Sequence, residues 1–134
     1  MMNQSAEEAL ARSFIGAFVA CDLDAMARHL SPAMRSEITN ADGGVDRVDG
    51  RDAFMARIAA MNVAAVRPSI TITQVLRVPP GDVLVMLEIE AARDTRTLHN
   101  FAALLLTIRD GVIDTYRMVE AKPAESAAFW SDPP

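Results

Sequence analysis

Two polar side chains of this chain, the carboxylate of Glu120 and the amide of Asn100, are the best candidates for taking part in a reaction or in ligand binding. Asn100 is the single polar residue on an otherwise apolar face of its predicted strand, and Glu120 lies near the end of the next strand. A carboxylate beside an apolar wall has a raised pKa and can act as a general base. An amide next to it can orient a ligand carbonyl. The alternative is that Glu120 lies at a pocket rim, solvated or paired with Arg117 or Lys122.

Two hydroxyl groups extend this candidate set. Tyr116 lies on the same predicted strand face as Glu120, where its hydroxyl either donates a hydrogen bond into a pocket or packs with that bond already satisfied. Ser36 shares one face of an earlier strand with Met34 and Ile38, which makes it a candidate lining residue. With the amide and the carboxylate above, these hydroxyls form the polar part of a predicted pocket.

Helical and strand periodicities define the elements that must hold these side chains. They predict helices over residues 5–20, from Asp22 to Ser31-Pro32 and over 52–61, strands over 34–40, 68–78, 83–92, 98–108 and 112–121, a loop over 41–50 and a helical turn over 124–130. Helices that come first and strands that follow are typical of the α+β class. The long strands share one apolar face, and the helices are expected to cover it.

The turn over residues 109–111 decides which side chains of the last two strands share a face. It fits either a two-residue turn or a longer turn with a bulge at its glycine, and a slip of one residue would exchange the two faces. Apolar content favours the bulged form, which pairs Asn100 with Glu120 and Leu104 with Tyr116. Tyr116 and Glu120 then face the pocket side of the sheet.

Composition and charge restrict the broad class of protein. The chain has 134 residues, of which 51% are apolar and 23% are charged, so we expect one globular domain over residues 1–134. Its net charge is −5 and Lys122 is its only lysine, which argues against binding to nucleic acid or to an anionic membrane. No apolar run approaches the roughly 18 residues of a membrane-spanning helix.

Cys21 is the only cysteine. A single thiol forms no disulfide within the chain and, with two histidines, makes no Cys/His cluster for a metal. The first residues carry acids where a signal peptide has a basic segment. We therefore expect a reducing, cytoplasmic location and neither a metal nor another cofactor.

Several local motifs resemble those of one family. The stretch from His99-Asn100-Phe101 to Arg109-Asp110-Gly111-Val112-Ile113 resembles the "HN…V.RDGKI" strand pair of SnoaL-like proteins, and Tyr116-Arg117 resembles the aromatic–arginine pair that follows it. Cys21-Asp22-Leu23-Asp24 resembles their "GDLD" link between the first two helices. Together with the order of the elements, these motifs resemble the SnoaL-like proteins of the nuclear-transport-factor-2-like superfamily.

This resemblance implies a fold before it implies a function. The expected fold is the cystatin-like cone shared with ketosteroid isomerases, in which three N-terminal helices pack on a curved, mixed but mainly antiparallel sheet around an apolar pocket. The superfamily also includes epoxide hydrolases, polyketide cyclases and dehydratases, so the fold alone identifies no activity.

The resemblance also implies that familiar catalytic acids are missing. Phe14, Ile38 and Leu104 fall where ketosteroid isomerases place their tyrosine, their base and their second acid, and none of the three exchanges a proton. Met118 falls where limonene-type epoxide hydrolases have an aspartate. Neither activity is therefore expected, and these four side chains are predicted to form pocket wall.

The opposite face of the last strands carries a second polar group, formed by Glu88, Glu90, His99 and Arg117 beside Phe101. Two carboxylates around a histidine are typical of a metal or acid–base site. However, the resemblance implies that this outer face meets a second subunit, and its apolar residues favour the same interpretation. We therefore predict a homodimer interface there rather than a metal site.

The sequence supports two functional hypotheses. The first is a homodimer that binds a small, largely apolar organic molecule, with Glu120 as the candidate base and Asn100 or Tyr116 as orienting groups in an isomerase, cyclase or dehydratase reaction on a carbonyl compound. The second is a dimerising structural or interaction module without catalysis. A continuous cavity of several hundred cubic ångströms with Asn100 or Glu120 in its wall would favour the first hypothesis.

Overall fold

The structure, a computed structural model, describes residues 6–131. Its elements along the chain are α1 (Ala6–Val19), α2 (Leu23–Arg28), β1 (Leu30–Thr39), β2 (Val45–Asp49), α3 (Arg51–Ala60), α4 (Val63–Val66), β3 (Ser69–Val78), β4 (Asp82–Arg93), β5 (Arg96–Arg109), β6 (Val112–Glu120) and α5 (Pro123–Trp130). Within residues 6–131, no helix is both long and apolar enough to cross a membrane.

The strands β1 to β6 form one sheet in the order β2-β1-β6-β5-β4-β3. β1 and β6 run parallel, whereas the other neighbouring pairs run antiparallel. α1 packs on β3 and β4, and α3 packs on β1 and β2. This is the mixed but mainly antiparallel α+β fold predicted from the sequence, and that prediction is confirmed.

The core lies between the concave face of the sheet and the helices. The rings of Phe14 on α1 and Phe54 on α3 both contact the ring of Tyr116 on β6, with centroids 6.1 and 4.9 Å away. All three rings are buried. Aromatic pairs of this kind stabilise a fold by roughly 0.5–1.5 kcal/mol each beyond the area they bury. Tyr116 therefore holds two helices against the middle of the sheet.

The predicted end of the second helix is wrong, because the chain enters a strand sooner. α2 ends at Arg28, and β1 begins at Leu30, so Pro32 lies inside a strand. The backbone N–H of Ile113 on β6 donates to the carbonyl of His29 at 2.7 Å. Strand pairing over a long sequence distance therefore outweighs the local helical pattern, and the residue before a proline disfavours helical backbone in any case.

The predicted loop after β1 is also wrong, because it contains the strand β2. The side-chain oxygen of Asn40 accepts hydrogen bonds from the backbone N–H groups of Asp42 and Gly44, at 3.1 and 3.0 Å, and so closes a hairpin. β2 then pairs with β1, with Asp46 opposite Ile38. The prediction fails because this short, charged segment is a strand only through its pairing partner.

Two more elements differ from the sequence prediction. α4 is a single turn whose flanking residues Asn62 and Arg67 are both left-handed, and the periodicity does not anticipate it. α5 is a helix of 8 residues with Pro123 in its first turn, where the pattern predicts only a turn. The predicted start of the first helix, Ser5, lies outside the described residues.

The register between β5 and β6 differs from the predicted one by two residues. The turn is a two-residue turn, since Asp110 and Gly111 both have positive φ, at 55° and 80°. A bulge then follows on β6, and it brings Ala102 opposite Glu120 and Leu104 opposite Met118. The predicted pairing is therefore wrong.

The predicted faces of these strands are nevertheless confirmed. A register error of two residues preserves the alternation of a strand, whereas the two-residue turn without its bulge would have reversed β6. The buried side chains on the pocket side of β4 and β5 are Val83, Val85, Leu87, Leu98, Asn100, Ala102, Leu104 and Leu106.

Candidate functional site

A cavity of about 570 Å³ lies between the concave face of the sheet and the helices α1, α3 and α5. Most of its wall is apolar, and the wall includes Phe14, Phe18, Met26, Ile38, Ile58, Leu87, Leu98, Leu104 and Met118. Its polar side chains lie together at one edge of the sheet. Because β1 and β6 are parallel, Asn40 directly after β1 and Glu120 at the end of β6 lie at that same edge.

Seven of the eight side chains predicted for the pocket line this cavity. These are Phe14, Ile38, Asn100, Leu104, Tyr116, Met118 and Glu120. Ser36 is the exception: it was predicted to line the cavity, but it is absent from the cavity wall. It is fully buried, and its hydroxyl donates to the carbonyl of Val48 on β2 at 2.9 Å. The physical reason is the unanticipated strand β2, which binds that hydroxyl.

Glu120 is a half-buried carboxylate held by neutral donors. The side-chain amide of Asn100 donates to its Oε1 at 3.1 Å, and the side chain of Ser126 on α5 also hydrogen-bonds to it. Burial raises the pKa of Glu120, and the opposing effects of Ser126, the Arg57 guanidinium and Asn100 do not cancel that rise. A buried carboxyl group with a raised pKa is a candidate for exchanging a proton with a ligand.

Asn100 holds this carboxylate in place. Its side chain is fully buried, and its Oδ1 accepts hydrogen bonds from the backbone N–H groups of Phe101 and Lys122, both at 2.9 Å. One amide hydrogen goes to Glu120. An asparagine amide carries two hydrogens, and the second one of Asn100 has no hydrogen-bond partner among residues 6–131.

Tyr116 lines the cavity with a hydroxyl that is weakly bonded. The hydroxyl donates to the sulfur of Met118 at 3.5 Å. Burial, followed by the negative charge of Glu120, raises the pKa of Tyr116, so its phenol stays protonated. Because a thioether is a poor acceptor, a ligand oxygen could replace Met118 as the partner of this donor.

Sequence reasoning missed a charged group at the cavity edge. The guanidinium of Arg57 on α3 donates to Asp46 on β2 at 3.2 Å, and the amide of Asn40 donates to the other oxygen of Asp46 at 3.1 Å. These two bonds, that of Asn40 first, hold the pKa of Asp46 below its ordinary value. The segment Val45–Asp49 has no period-two alternation of apolar and polar residues, so no local signal marks β2 or the position of Asp46.

α5 supplies two further lining residues that the sequence did not single out. Ser126 is buried and bonds to Glu120, and Trp130, the only tryptophan of the chain, is half-buried in the cavity wall. Arg96 on β5 donates to the carbonyl of Ala128 at 2.9 Å and so fastens this helix to the sheet. The fluorescence of Trp130 can therefore be used to detect a ligand in the cavity.

The predicted outer cluster is only partly assembled. His99 lies opposite Glu90 in the ladder, and its Nε2 is 2.7 Å from a carboxylate oxygen of Glu88. The His99 and Phe101 rings lie 5.0 Å apart. Arg117 does not join this group, since the register shift places it opposite Leu105.

Arg117 instead forms an ion pair with Glu37 on β1, at 3.1 Å. The prediction that Arg117 lies beside Glu88 and His99 is therefore wrong. The cause is the two-residue difference in register between β5 and β6.

The fold and the cavity define a nuclear-transport-factor-2-like cone, and comparison with known proteins places the chain within that class. The profile of the SnoaL-like domain matches residues 11–116, so the chain belongs to the SnoaL-like domain family. No curated protein matches it in sequence.

Solved structures share the fold at low sequence identity. Bal32a from a soil-derived mobile gene cassette is 15% identical, with a TM-score of 0.82 over 94% of this chain and 97% of that one. A proposed SnoaL-like polyketide cyclase from Jannaschia sp. CCS1 is 18% identical, with a TM-score of 0.77 over 99% and 100%. RV0760c from Mycobacterium tuberculosis, in complex with estradiol-17beta-hemisuccinate, is 15% identical, with a TM-score of 0.72 over 87% and 99%.

The raised pKa of Glu120 predicts a pH-dependent stability. Below the ordinary pKa of 4.5 the carboxyl group is neutral in both the folded and the unfolded chain. As pH rises through the raised pKa, ionisation favours the unfolded chain, so the wild type should lose stability relative to Glu120→Gln. Urea unfolding between about pH 4 and pH 8 measures that difference.

Glu125→Gln is the matched control, because Glu125 is an exposed carboxylate on the nearby helix α5. Its stability difference from the wild type should not follow this trend. A wild type that gains stability relative to Glu120→Gln as pH rises would contradict the burial of this carboxyl group.

Proposed function

We propose that the protein binds a small, largely apolar organic molecule in the cavity, with the polar end of the molecule against Glu120 and Asn100. One observation carries the proposal: a continuous apolar cavity of about 570 Å³ ends at a half-buried carboxylate that only neutral side chains bond. Sites for small molecules have volumes of roughly 300–1,000 Å³ and few, convergent polar groups.

The solved structures are consistent with this proposal. RV0760c, which shares the fold, is seen in complex with estradiol-17beta-hemisuccinate, an apolar ring system with a polar end. The protein from Jannaschia sp. CCS1 is a proposed SnoaL-like polyketide cyclase. At this level of identity the likeness extends to the fold only, so the specific ligand has to come from the residues of this cavity.

Glu120 also suggests the reaction that such a site would perform. As a general base it would take a proton from the carbon beside a ligand carbonyl, and the electron pair left behind would move onto the carbonyl oxygen. The free amide hydrogen of Asn100 and the phenol of Tyr116 are the donors available to that oxygen. This step is common to isomerases, cyclases and dehydratases, and it is the chemistry we propose for the site.

The apolar wall restricts the proposal to a single proton-transfer group. Phe14, Ile38 and Leu104 line the cavity, and none of them carries an exchangeable proton. Neither histidine is among the lining residues, since His29 follows α2 and His99 lies on the outer face. Of the three carboxylates in the wall, Asp46 is paired with Arg57 and Asp42 lies at the exposed edge, so the proposed reaction depends on Glu120.

Ligand binding can be tested by narrowing the cavity at α5. Ala127 lines the cavity from an exposed helix position, so Ala127→Phe should fold and should obstruct the space. N-phenyl-1-naphthylamine, an uncharged apolar fluorophore, should accept energy from Trp130 in the wild type, and the variant should bind it about tenfold more weakly or worse.

Ala128→Phe is the control for this experiment, because Ala128 is exposed on the same helix but does not line the cavity. It should bind the fluorophore as the wild type does. Equal binding by all three proteins would show that the dye occupies another site and would remove this support.

The proposed base has its own test. In deuterated water, the wild type should accelerate exchange of the hydrogens beside the carbonyl of 2-decanone, measured by nuclear magnetic resonance. Glu120→Gln should lower that rate by about a hundredfold, the usual contribution of a general base, whereas Glu125→Gln should not. An exchange rate that Glu120→Gln leaves unchanged would exclude Glu120 as the base.

A second proposal, pairing of two copies through the outer face of the sheet, rests on exposed apolar side chains. Met86, Phe101 and Val119 are 37%, 42% and 64% exposed on strands β4, β5 and β6. A contiguous apolar surface of this kind is typical of an interface. We propose that a second copy of the chain covers it, with Glu88, Glu90 and His99 at the polar margin.

Dimer formation predicts the effect of a charge in this face. Phe101→Glu should shift sedimentation towards the monomer, because an unpaired carboxylate would be buried in the interface. Leu23→Glu is the control, since Leu23 is 37% exposed on the helical side of the fold. A wild type that sediments as a monomer, or a Phe101→Glu variant that remains dimeric, would contradict this interface.

A further inference from the structure

The wall of the cavity carries more negatively charged than positively charged side chains. Its wall contains three carboxylates, Asp42, Asp46 and Glu120, and one guanidinium, Arg57. The only lysine, Lys122, does not line it. When all these groups are ionised, the cavity is therefore negative, and it would attract a cation and repel an anion.

Arg57 does little to change this balance. Its guanidinium is 3.2 Å from Asp46, whose pKa is held below its ordinary value, so Asp46 remains ionised and offsets the positive charge. Arg57 also acts on Glu120, but through space rather than by an ion pair. Asp42 is left at the exposed edge, and Glu120 is left inside, without a cation of their own among residues 6–131.

Glu120 has a bonding pattern that a cationic ligand would complete. Its two described partners, Asn100 and Ser126, are both neutral, and it makes no ion pair with any residue in the range 6–131. A half-buried carboxylate without a counter-charge is costly when ionised. A positively charged nitrogen placed beside it would form a charge-assisted hydrogen bond, which is stronger than a bond between neutral groups.

We propose that the cavity selects apolar molecules that carry a protonated amino group, and that this group pairs with Glu120 while the apolar part occupies the space against Phe14 and Leu104. The inference rests on the proposed function, because it specifies the charge of the ligand that the same cavity binds.

Three probes with one alkyl chain and different charges test this inference: decylamine, 1-decanol and decanoate, at neutral pH. Their affinities would be measured by calorimetry and by the fluorescence of Trp130, which lines the cavity. Decylamine should bind about tenfold more tightly than 1-decanol, or better, and decanoate should bind most weakly.

Two variants separate the carboxylate from the general negative field of the protein. Glu120→Gln should remove the advantage of decylamine over 1-decanol, whereas Glu125→Gln, which removes an exposed carboxylate from the nearby helix α5, should retain it. Arg57→Gln supplies a test that leaves the Glu120 side chain in place. It should increase the advantage of decylamine, because it removes the one cation in the cavity wall.

The outcomes distinguish this inference from the proposed function. If 1-decanol and decylamine bind equally, or decanoate binds best, the selection of amines is overturned while ligand binding stands. If Glu120→Gln keeps the full advantage of decylamine, Glu120 is not the partner of the amine. If none of the three probes binds or changes the emission of Trp130, the proposed ligand site is overturned as well.

Discussion

Asn100 is fully buried in a face of the sheet that is otherwise apolar, and its side chain makes three hydrogen bonds. Two of them satisfy backbone N–H groups, that of Phe101 on β5 and that of Lys122 just before α5. The third fixes Glu120. Each buried donor left without a partner would cost roughly 1–3 kcal/mol. One amide thus joins the end of the sheet, the start of the last helix and the candidate carboxylate, so the geometry of the site depends on it.

The remaining polar groups are arranged by the cost of burying charge. The closed part of the cavity is lined by Phe14, Leu104 and other apolar side chains, where an unpaired charge would be most expensive. Charged side chains occur at the edge where β1 and β6 end, and there Arg57 and Asp46 neutralise each other. Glu120 lies between these two environments. Its raised pKa follows from that position, because the apolar wall removes water while its neutral partners supply no charge.

The fold could be predicted because its determinants are periodic and local. Alternation along β4 and β5 identified the pocket face, and the early helices identified a covering layer. The segments that failed depend on distant partners. β2 becomes a strand only by pairing with β1, and α2 stops early because β1 pairs with β6 near Ile113. The bulge on β6 has no local signature strong enough to predict, although it decides that Glu120 lies opposite Ala102.

The candidate site shows the same division between features that local periodicity predicts and features that depend on distant partners. Apolar content in the sequence determined that Glu120, Asn100 and Tyr116 share a face with an apolar wall, and the register error of two residues left that face unchanged because strands alternate with a period of two. The sequence also determined that Phe14, Ile38 and Leu104 cannot transfer protons, since that is a property of residue type. Only the tertiary structure decided what surrounds the carboxylate.

Asp46 and Arg57 come from the consecutive elements β2 and α3, whereas Ser126 comes from α5, far along the chain, and the two parts meet only when the sheet closes around the cavity. The same closure buries Ser36 against β2 instead of exposing it to the cavity. Burial and charge at one point in space are sums over all neighbours, whatever their distance in sequence, and a local pattern of residues contains only some of those neighbours.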